Sequence, residues 1–348
     1  MFGGRSGVLW VALITSACPG PAPRTRPAPA AVALPPRVTG ANLRAVGDPK
    51  HGYGTRTARR TLERLQGLGV NTIGVLMEGR MAGLESTTVE RPSPEDEAAV
   101  AAALLDANTL GFATVLIPHL ILDDGEWRGD LRYDDPADTQ AFFTSYGTFM
   151  NAAADLAARS GATVLSLGVE LKGLSSSEAG AEGMRTLSAE VRRHYSGLLT
   201  YNANWDEAEQ VRFWDATDLA GVNGYYPLVP DPVRGAESVA LRLSNLALLA
   251  ERDVLVLEVG YRSSPLSHVR PWEWPEQVEP AVDQTSQANA YAAVLSEWLR
   301  TPHVRGLLFW VVPTDPDDPA SEPPHGFSPI NKAAEAVIKE AFLGRAAP

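Results

Sequence analysis

From residue 38 onward, short apolar runs alternate with longer stretches in which apolar residues recur every three or four positions. Short apolar runs rich in β-branched residues are typical of buried parallel strands, and the longer period is typical of amphipathic helices. The alternation therefore predicts repeated strand–helix units. Eight strands are predicted, at Val38–Leu43, Asn71–Met77, Ala113–Ile117, Val164–Val169, Leu198–Ala203, Leu219–Val222, Val254–Leu257 and Gly306–Trp310.

The segments between these strands carry helix signals. In TRTARRTLERLQGLG, Leu62, Leu65 and Leu68 fall on one face, whereas PEDEAAVAAALLDANTLG has acids in its first turn and ends on Gly111. Eight such units in about 310 residues predict an α/β fold, a single (β/α)8 TIM barrel. A doubly wound sheet fits the same count, but it favours a glycine-rich phosphate turn after the first strand, and TGANLRAVGDP is not one.

Two glutamates follow predicted strands that lie on different sides of such a barrel. Glu170 comes directly after the fourth strand and Glu258 directly after the seventh. Because the carboxyl ends of barrel strands converge on one face, the two carboxyls are expected to face each other across a cleft. Retaining glycosidases use such a pair, about 5–5.5 Å apart. A single glutamate at a strand end is often a structural hydrogen-bond acceptor, so the prediction rests on the pair.

The same rim gathers aromatic, amide and imidazole side chains. Aromatic faces stack on the apolar faces of pyranose rings and polar groups bind the hydroxyls, so this composition predicts a sugar site. Trp205 is also compatible with a core position, and His119 with a structural hydrogen bond at the rim. No His, Asp or Glu cluster has zinc-like spacing, and we expect neither a metal nor a cofactor. The candidate substrate-binding residues are His119, Trp127, Asn202, Trp205, Asn223 and Trp310.

Composition limits the class of partner. The chain has 348 residues, 45% of them hydrophobic, and is long enough to bury one large core. Its formal net charge of −12 argues against nucleic-acid binding, which requires a basic face. We expect a monomer that binds carbohydrate and meets a membrane only through a lipid anchor.

The beginning of the chain resembles an export signal. Arg5 precedes an apolar run at Val8–Ile14, and small residues lead to Cys18, the single cysteine, in the manner of a bacterial lipobox. This pattern predicts a signal peptide at 1–18, a Pro/Ala-rich tether at 19–37 and the barrel at 38–348. We expect export and lipid anchoring through Cys18 at the bacterial cell envelope. The alternative is cleavage by an ordinary signal peptidase and secretion.

Several stretches between residues 117 and 342 resemble glycoside hydrolase family 113, retaining β-mannanases with a (β/α)8 fold. The matching stretches are PHLILDDGEWRG, LGVEL, LTYNANWDEAEQVRFWDATDLAGVNGYYPL, VLEVGYRS, RPWEWP and GFSPINKAAEAVIKEAF. The resemblance implies Glu170 as the general acid/base, Glu258 as the nucleophile and Tyr225 as the hydrogen-bond partner of Glu258. Val169 and Leu257 depart from the residues usual before the two glutamates. Mannan, another β-linked hexan and a cell-envelope glycan therefore remain possible substrates.

Two other functions compete with a retaining hydrolase acting on a mannan-like substrate. A non-catalytic glycan-binding TIM-barrel lipoprotein would keep the barrel and its aromatic rim without turnover. A barrel hydrolase of another chemistry would need a metal cluster or an activated serine or cysteine nucleophile. The sequence has no G-x-S-x-G elbow, and its only cysteine lies in the signal region.

Overall fold

The computed structural model describes residues 31–278 and 281–344. The predicted signal peptide, Cys18 and most of the predicted tether lie outside the described residues. No helix within the described ranges is long and apolar enough to cross a membrane.

Eight parallel strands form a closed barrel in chain order, and the last strand pairs with the first. The predicted single TIM barrel is therefore confirmed. The strands are β1 (Val38–Arg44), β2 (Thr72–Met81), β3 (Ala113–Leu122), β4 (Val164–Val169), β5 (Leu198–Asn204), β6 (Ala220–Asn223), β7 (Val254–Val259) and β8 (Val304–Pro313).

Strands β2 and β3 run further toward the mouth of the barrel than their apolar runs predict. Their pairing is continuous from Thr72 with Ala113 to Met81 with Leu122. In this extension buried residues alternate with exposed ones in β2 and with partly exposed ones in β3, because one face of each strand has left the barrel core. His119, expected after the strand, therefore lies within β3.

Helices surround the barrel except after β5. Most of them begin after a Ser, Thr or Asp whose side chain accepts a backbone N–H, as favourable N-caps do. The fully described stretch 205–219 contains no α-helix, only 3₁₀ turns at Ala208–Gln210 and Trp214–Ala216. The helices are α1 (Arg56–Gly67), α2 (Pro94–Thr109), α3 (Pro136–Ser160), α4 (Lys172–Ser175), α5 (Glu178–His194), α6 (Pro232–Ala250), α7 (Gln284–Trp298) and α8 (Ala333–Phe342).

Apolar side chains fill the inside of the barrel. Val115, Val164 and Leu255 are completely buried there, and the cluster continues to Tyr225 and Trp310 at the mouth. A packed interior of this kind is a rigid floor on which reactive side chains can be held in place.

Residues 31–37, directly before β1, lie against the closed end of the barrel, where the strands begin. We call residues 31–37 the amino-terminal strap. The hydroxyl of Thr163, directly before β4, donates a hydrogen bond of 2.6 Å to the carbonyl of Val32. Leu34 packs against the apolar residues inside the barrel. The end of the predicted tether is thus in contact with the barrel.

Candidate active site

A cavity of about 650 Å³ opens at the carboxyl ends of the strands. Its walls come from the ends of β3 to β8 and from the loops that follow them. Both glutamates singled out by the strand pattern line it. The lining residues are His119, Gly125, Glu126, Trp127, Arg128, Glu170, Asn204, Trp205, Asp206, Tyr225, Glu258, Trp272, Trp274, Gln277, Trp310 and Phe327.

Glu170 stands immediately beyond β4, and both of its carboxyl oxygens accept hydrogen bonds. Asn223 Nδ2 donates to Oε1 at 3.0 Å, and Arg128 donates to Oε2 at 2.8 Å. A second nitrogen of Arg128 donates to the carbonyl of Val169 at 2.9 Å, which fixes the guanidinium beside the strand end. Arg128 and Glu170 therefore form an ion pair at the cavity.

Glu258 lies in β7, and only 4% of its surface is exposed. The hydroxyl of Tyr225 donates to Oε2 at 2.9 Å, while Oε1 has no hydrogen-bond partner among the described residues. Burial and the negative charge of Glu170 raise the pKa of Glu258 to about 8, although Tyr225 and Arg128 oppose the rise. The expected hydrogen bond from Tyr225 is present. It lowers the pKa of Glu258, but burial raises this pKa by more.

The two carboxyls are electrostatically linked and share one partner strand. Asn223, which donates to Glu170, is the register partner of Glu258 on the neighbouring strand. Since two negative charges on largely buried neighbouring carboxyls repel each other, the pair is expected to retain one proton near neutral pH. One proton on two carboxyls is the charge state that acid catalysis combined with nucleophilic attack requires.

The predicted sugar-binding residues occupy two different environments. His119, Trp127, Trp205 and Trp310 line the cavity. Asn202 and Asn223 are completely buried instead. Neither side chain is among those that line the cavity, and Asn202 Nδ2 donates to the side-chain oxygen Oδ1 of Asn223 at 3.4 Å.

His119 presents a neutral imidazole to the cavity. Burial lowers its pKa well below the usual value, and the positive charge of Arg128 lowers it further. Its Nε2 has no hydrogen-bond partner among the described residues. A neutral imidazole with a free ring nitrogen can bind a sugar hydroxyl as donor or acceptor.

Tryptophans form one side of the cavity. The rings of Trp205 and Trp272 are stacked, with centroids 5.4 Å apart and an angle of 18° between their planes. Trp272 and Trp274 belong to the loop after β7 and are 38% and 48% exposed. Phe327, from the segment after β8, packs edge-on against Trp274. Such a surface suits the apolar faces of sugar rings.

The sequence analysis did not select Arg128, Trp272, Trp274 or Phe327 as site residues. The two tryptophans had a usable signal, since RPWEWP follows the same strand as Glu258. Arg128 follows β3 in a loop with several other polar residues, and only the folded chain shows that it reaches Glu170. Within the described residues, no group of three or more His, Cys, Asp or Glu side chains is placed to hold a metal ion.

Comparisons with known proteins identify a matching family and similar structures. The model of glycoside hydrolase family 113 matches residues 46–323. The chain is 28% identical to the family 113 β-mannanase AaManA from Alicyclobacillus acidocaldarius, solved in complex with ManMIm, with a TM-score of 0.79. That match covers 89% of this chain and 98% of the mannanase. A search of curated protein sequences finds no match.

Two more distant structures share the fold. A family 113 β-1,4-mannanase solved as a complex has 23% identity and a TM-score of 0.79, over 89% of this chain and 99% of its own. A family 5 mannosidase from Rhizomucor miehei has 14% identity and a TM-score of 0.61, over 89% and 93% of the two chains.

Proposed function

Because this chain belongs to glycoside hydrolase family 113 and is therefore a glycoside hydrolase, we propose that it cleaves a β-linked mannan with retention of configuration. Glu258 is the nucleophile and Glu170 the general acid/base of this proposal. Family membership also decides between the two leading expectations from the sequence, in favour of an enzyme over a non-catalytic glycan-binding protein.

One observation carries the proposed mechanism. Glu170 and Glu258, from β4 and β7, line the same cavity, and each is held by a neutral hydrogen-bond donor from or just after β6. Asn223 donates to Glu170 and Tyr225 donates to Glu258. Rigid strands thus aim both carboxyls at one space, as a double displacement requires.

In the first step, the unpaired oxygen of Glu258 attacks the anomeric carbon of the bound sugar. The glycosidic bond breaks, Glu170 transfers its proton to the leaving oxygen, and a glycosyl ester forms on Glu258. In the second step, Glu170 takes a proton from water as that water attacks the anomeric carbon, and the ester bond to Glu258 breaks to return its carboxylate. The sugar is released with its original configuration, and both carboxyls return to their starting states.

The distribution of charge between the two carboxyls must change before the first step. Arg128 donates to Glu170, which favours negative charge on the residue that has to deliver the proton. Attack requires the charge on Glu258 instead. The proposal therefore includes movement of the proton between the two carboxyls when sugar enters and the contact with Arg128 weakens.

A mannan-like substrate follows from two lines of support. The structures that match over 98% or 99% of their own length are described as β-mannanases. The cavity combines tryptophan faces with a neutral histidine, groups that bind uncharged pyranose rings.

We also propose that the protein is exported and held at the cell envelope by a lipid on Cys18.

Hydrolysis of β-mannooligosaccharides tests the proposal. Proton NMR of the first product should show the same anomer as the substrate. Glu258→Ala should lose at least about 10⁴-fold in kcat on every substrate, because no glycosyl ester can form. Glu170→Ala should still form the ester from nitrophenyl substrates, whose leaving group needs little protonation, and azide should speed its breakdown.

The matched control is Glu237→Ala, which removes an exposed glutamate on α6 and should leave turnover unchanged. The contrary result is that azide rescues Glu258→Ala with inversion at the anomeric carbon and has no effect on Glu170→Ala. That result would support only the assignment of Glu258 as nucleophile. Unchanged activity in both active-site variants would show that the two glutamates are structural.

A further inference from the structure

A third carboxyl group lies behind the cavity and has no part in the mechanism above. Glu207, in the connection between β5 and β6, is completely buried. Its Oε1 accepts hydrogen bonds of 2.5 Å from the hydroxyls of Tyr201 and Ser175. Its Oε2 accepts the backbone N–H of Asn204 at 2.9 Å. Glu207 is not a cavity-lining residue, so its partners must explain why a carboxyl is buried here.

The hydroxyl of Tyr201 connects Glu207 to the end of β4. It donates its proton to Glu207 and accepts the backbone N–H of Leu171 at 2.6 Å. The N–H of Glu170 is still paired with β5, at 2.8 Å from the carbonyl of Asn202. Leu171 carries the next amide, and Tyr201 provides the acceptor that the strand no longer offers.

The backbone of Glu170 needs this support. Its φ of 53° lies in the left-handed region, which is unfavourable for a residue with a Cβ and persists only where neighbouring contacts impose it. The hydrogen bonds donated by the backbone N–H groups of Glu170 and Leu171 fix the peptide groups on both sides of Glu170. A carboxylate is a strong acceptor that draws the Tyr201 proton to itself and leaves the oxygen lone pair for Leu171.

Glu207 also lies close enough to Glu170 for the two charges to interact. Burial raises the pKa of Glu207 to about 7, and the negative charge of Glu170 contributes to the rise. The hydrogen bonds from Ser175, Tyr201 and the Asn204 amide act in the opposite direction. Tyr201 itself is packed against the edges of Phe213 and Trp214, which restricts its ring.

We propose that Glu207 is a positioning residue for Glu170, acting through Tyr201 and the Leu171 amide to hold the left-handed backbone that aims the Glu170 carboxyl into the cavity. The inference rests on the proposed acid/base role of Glu170. It predicts that disturbing Glu207 impairs proton transfer to the leaving group more than it impairs attack by Glu258.

Leaving-group dependence separates this role from a general effect on the fold. The test compares kcat/KM of Glu207→Gln and Tyr201→Phe on aryl β-mannobiosides whose leaving groups range from dinitrophenol to unsubstituted phenol. Both variants should lose about 10–100-fold with phenol, which needs protonation, and less than about 3-fold with dinitrophenol, which does not. Tyr201→Phe keeps the ring and removes only the hydroxyl between Glu207 and Leu171.

Two further variants make the outcome decisive. Tyr195→Phe likewise removes a buried tyrosine hydroxyl, but this hydroxyl donates to the backbone carbonyl of Ala162 at 2.9 Å, at the opposite end of β4. It should show no dependence on the leaving group. Glu170→Ala defines the pattern for complete loss of the acid. Equal losses on all leaving groups, or none, in Glu207→Gln and Tyr201→Phe would overturn the inference while leaving the proposed function intact. A flat response in Glu170→Ala would overturn both.

Discussion

The carboxyl group of Glu258 is almost completely buried beside Glu170, and ionising it there reduces the stability of the folded protein. Burial, followed by the charge of Glu170, raises its pKa from 4.5 to about 8. Between these pH values the folded protein holds a proton that the unfolded chain releases. The stability from Glu258 is therefore fully present below about pH 4.5 and is lost as the pH rises through about 8.

Glu258→Gln is accordingly expected to become more stable than the wild type as pH rises. Glutamine preserves the shape and an acceptor for Tyr225 but carries no charge. The gain in free energy of unfolding should grow between pH 4.5 and 8.5, by on the order of 2–4 kcal/mol. Urea denaturation at several pH values measures it, with the exposed Glu237→Gln as control. A difference that stays constant with pH would contradict the expectation.

At the scale of single residues, the sequence reveals side chains whose position follows from a strand. Glu170 and Glu258 could be selected because they end apolar runs, and barrel topology brings such ends together. Arg128 and Glu207 could not be selected in this way. The former reaches Glu170 from a loop 42 residues earlier in the chain. The latter stands in WDEAEQ, which reads as an exposed acidic turn because no periodicity marks it as buried.

Among the elements, the contact between β8 and β1 closes the barrel and depends on one glycine. Gly306 pairs with Val38 and has a φ of 131°, which side chains with a Cβ rarely adopt. A Cβ at this position would lie 2.0 Å from the carbonyl oxygen of Val38. Because that oxygen belongs to backbone held in the sheet, it cannot move aside without disturbing the strand.

Gly306→Ala should therefore destabilise the protein by about 3 kcal/mol or more, through backbone strain and the displaced strand. Gly47→Ala is the matched control, because a Cβ there meets nothing within 4 Å. That change should alter stability by less than about 1 kcal/mol. Thermal or urea denaturation of the three proteins compares them, and equal stability of Gly306→Ala and the wild type would refute the closure argument.

All eight strands were predictable because each forms a short, mainly apolar and mainly buried run between turn and helix signals. The ends of β2 and β3 were harder to predict, because they contain polar residues that nevertheless stay paired in the sheet at the mouth of the barrel. The sequence also implied a helix in every unit, whereas 3₁₀ turns replace it after β5. This short connection leaves room for Trp205 at the cavity and for Glu207 behind it, and no local pattern signals that use.

For the whole molecule, the proposed lipid anchor makes a prediction about location. Cys18→Ala should move the protein from the membrane fraction to the soluble fraction of the cells that produce it, because no other thiol can accept a lipid. Ser16→Ala keeps a small residue before the cysteine and should remain membrane-bound. Immunoblots of separated fractions give the answer. Cys18→Ala protein that stays with the membrane would exclude the anchor.

Together with the proposed lipid on Cys18, the amino-terminal strap would determine which end of the barrel faces the membrane. It meets the barrel at the end opposite the cavity, with Val32 bonded to Thr163. A molecule held at Cys18 would stand on its closed end and open outward, away from the lipid. Residues 19–30 span at most about 40 Å even when fully extended. Its substrate would then be glycan arriving from the surroundings, and sugars attached to lipids in the same membrane would lie on the wrong side of the molecule.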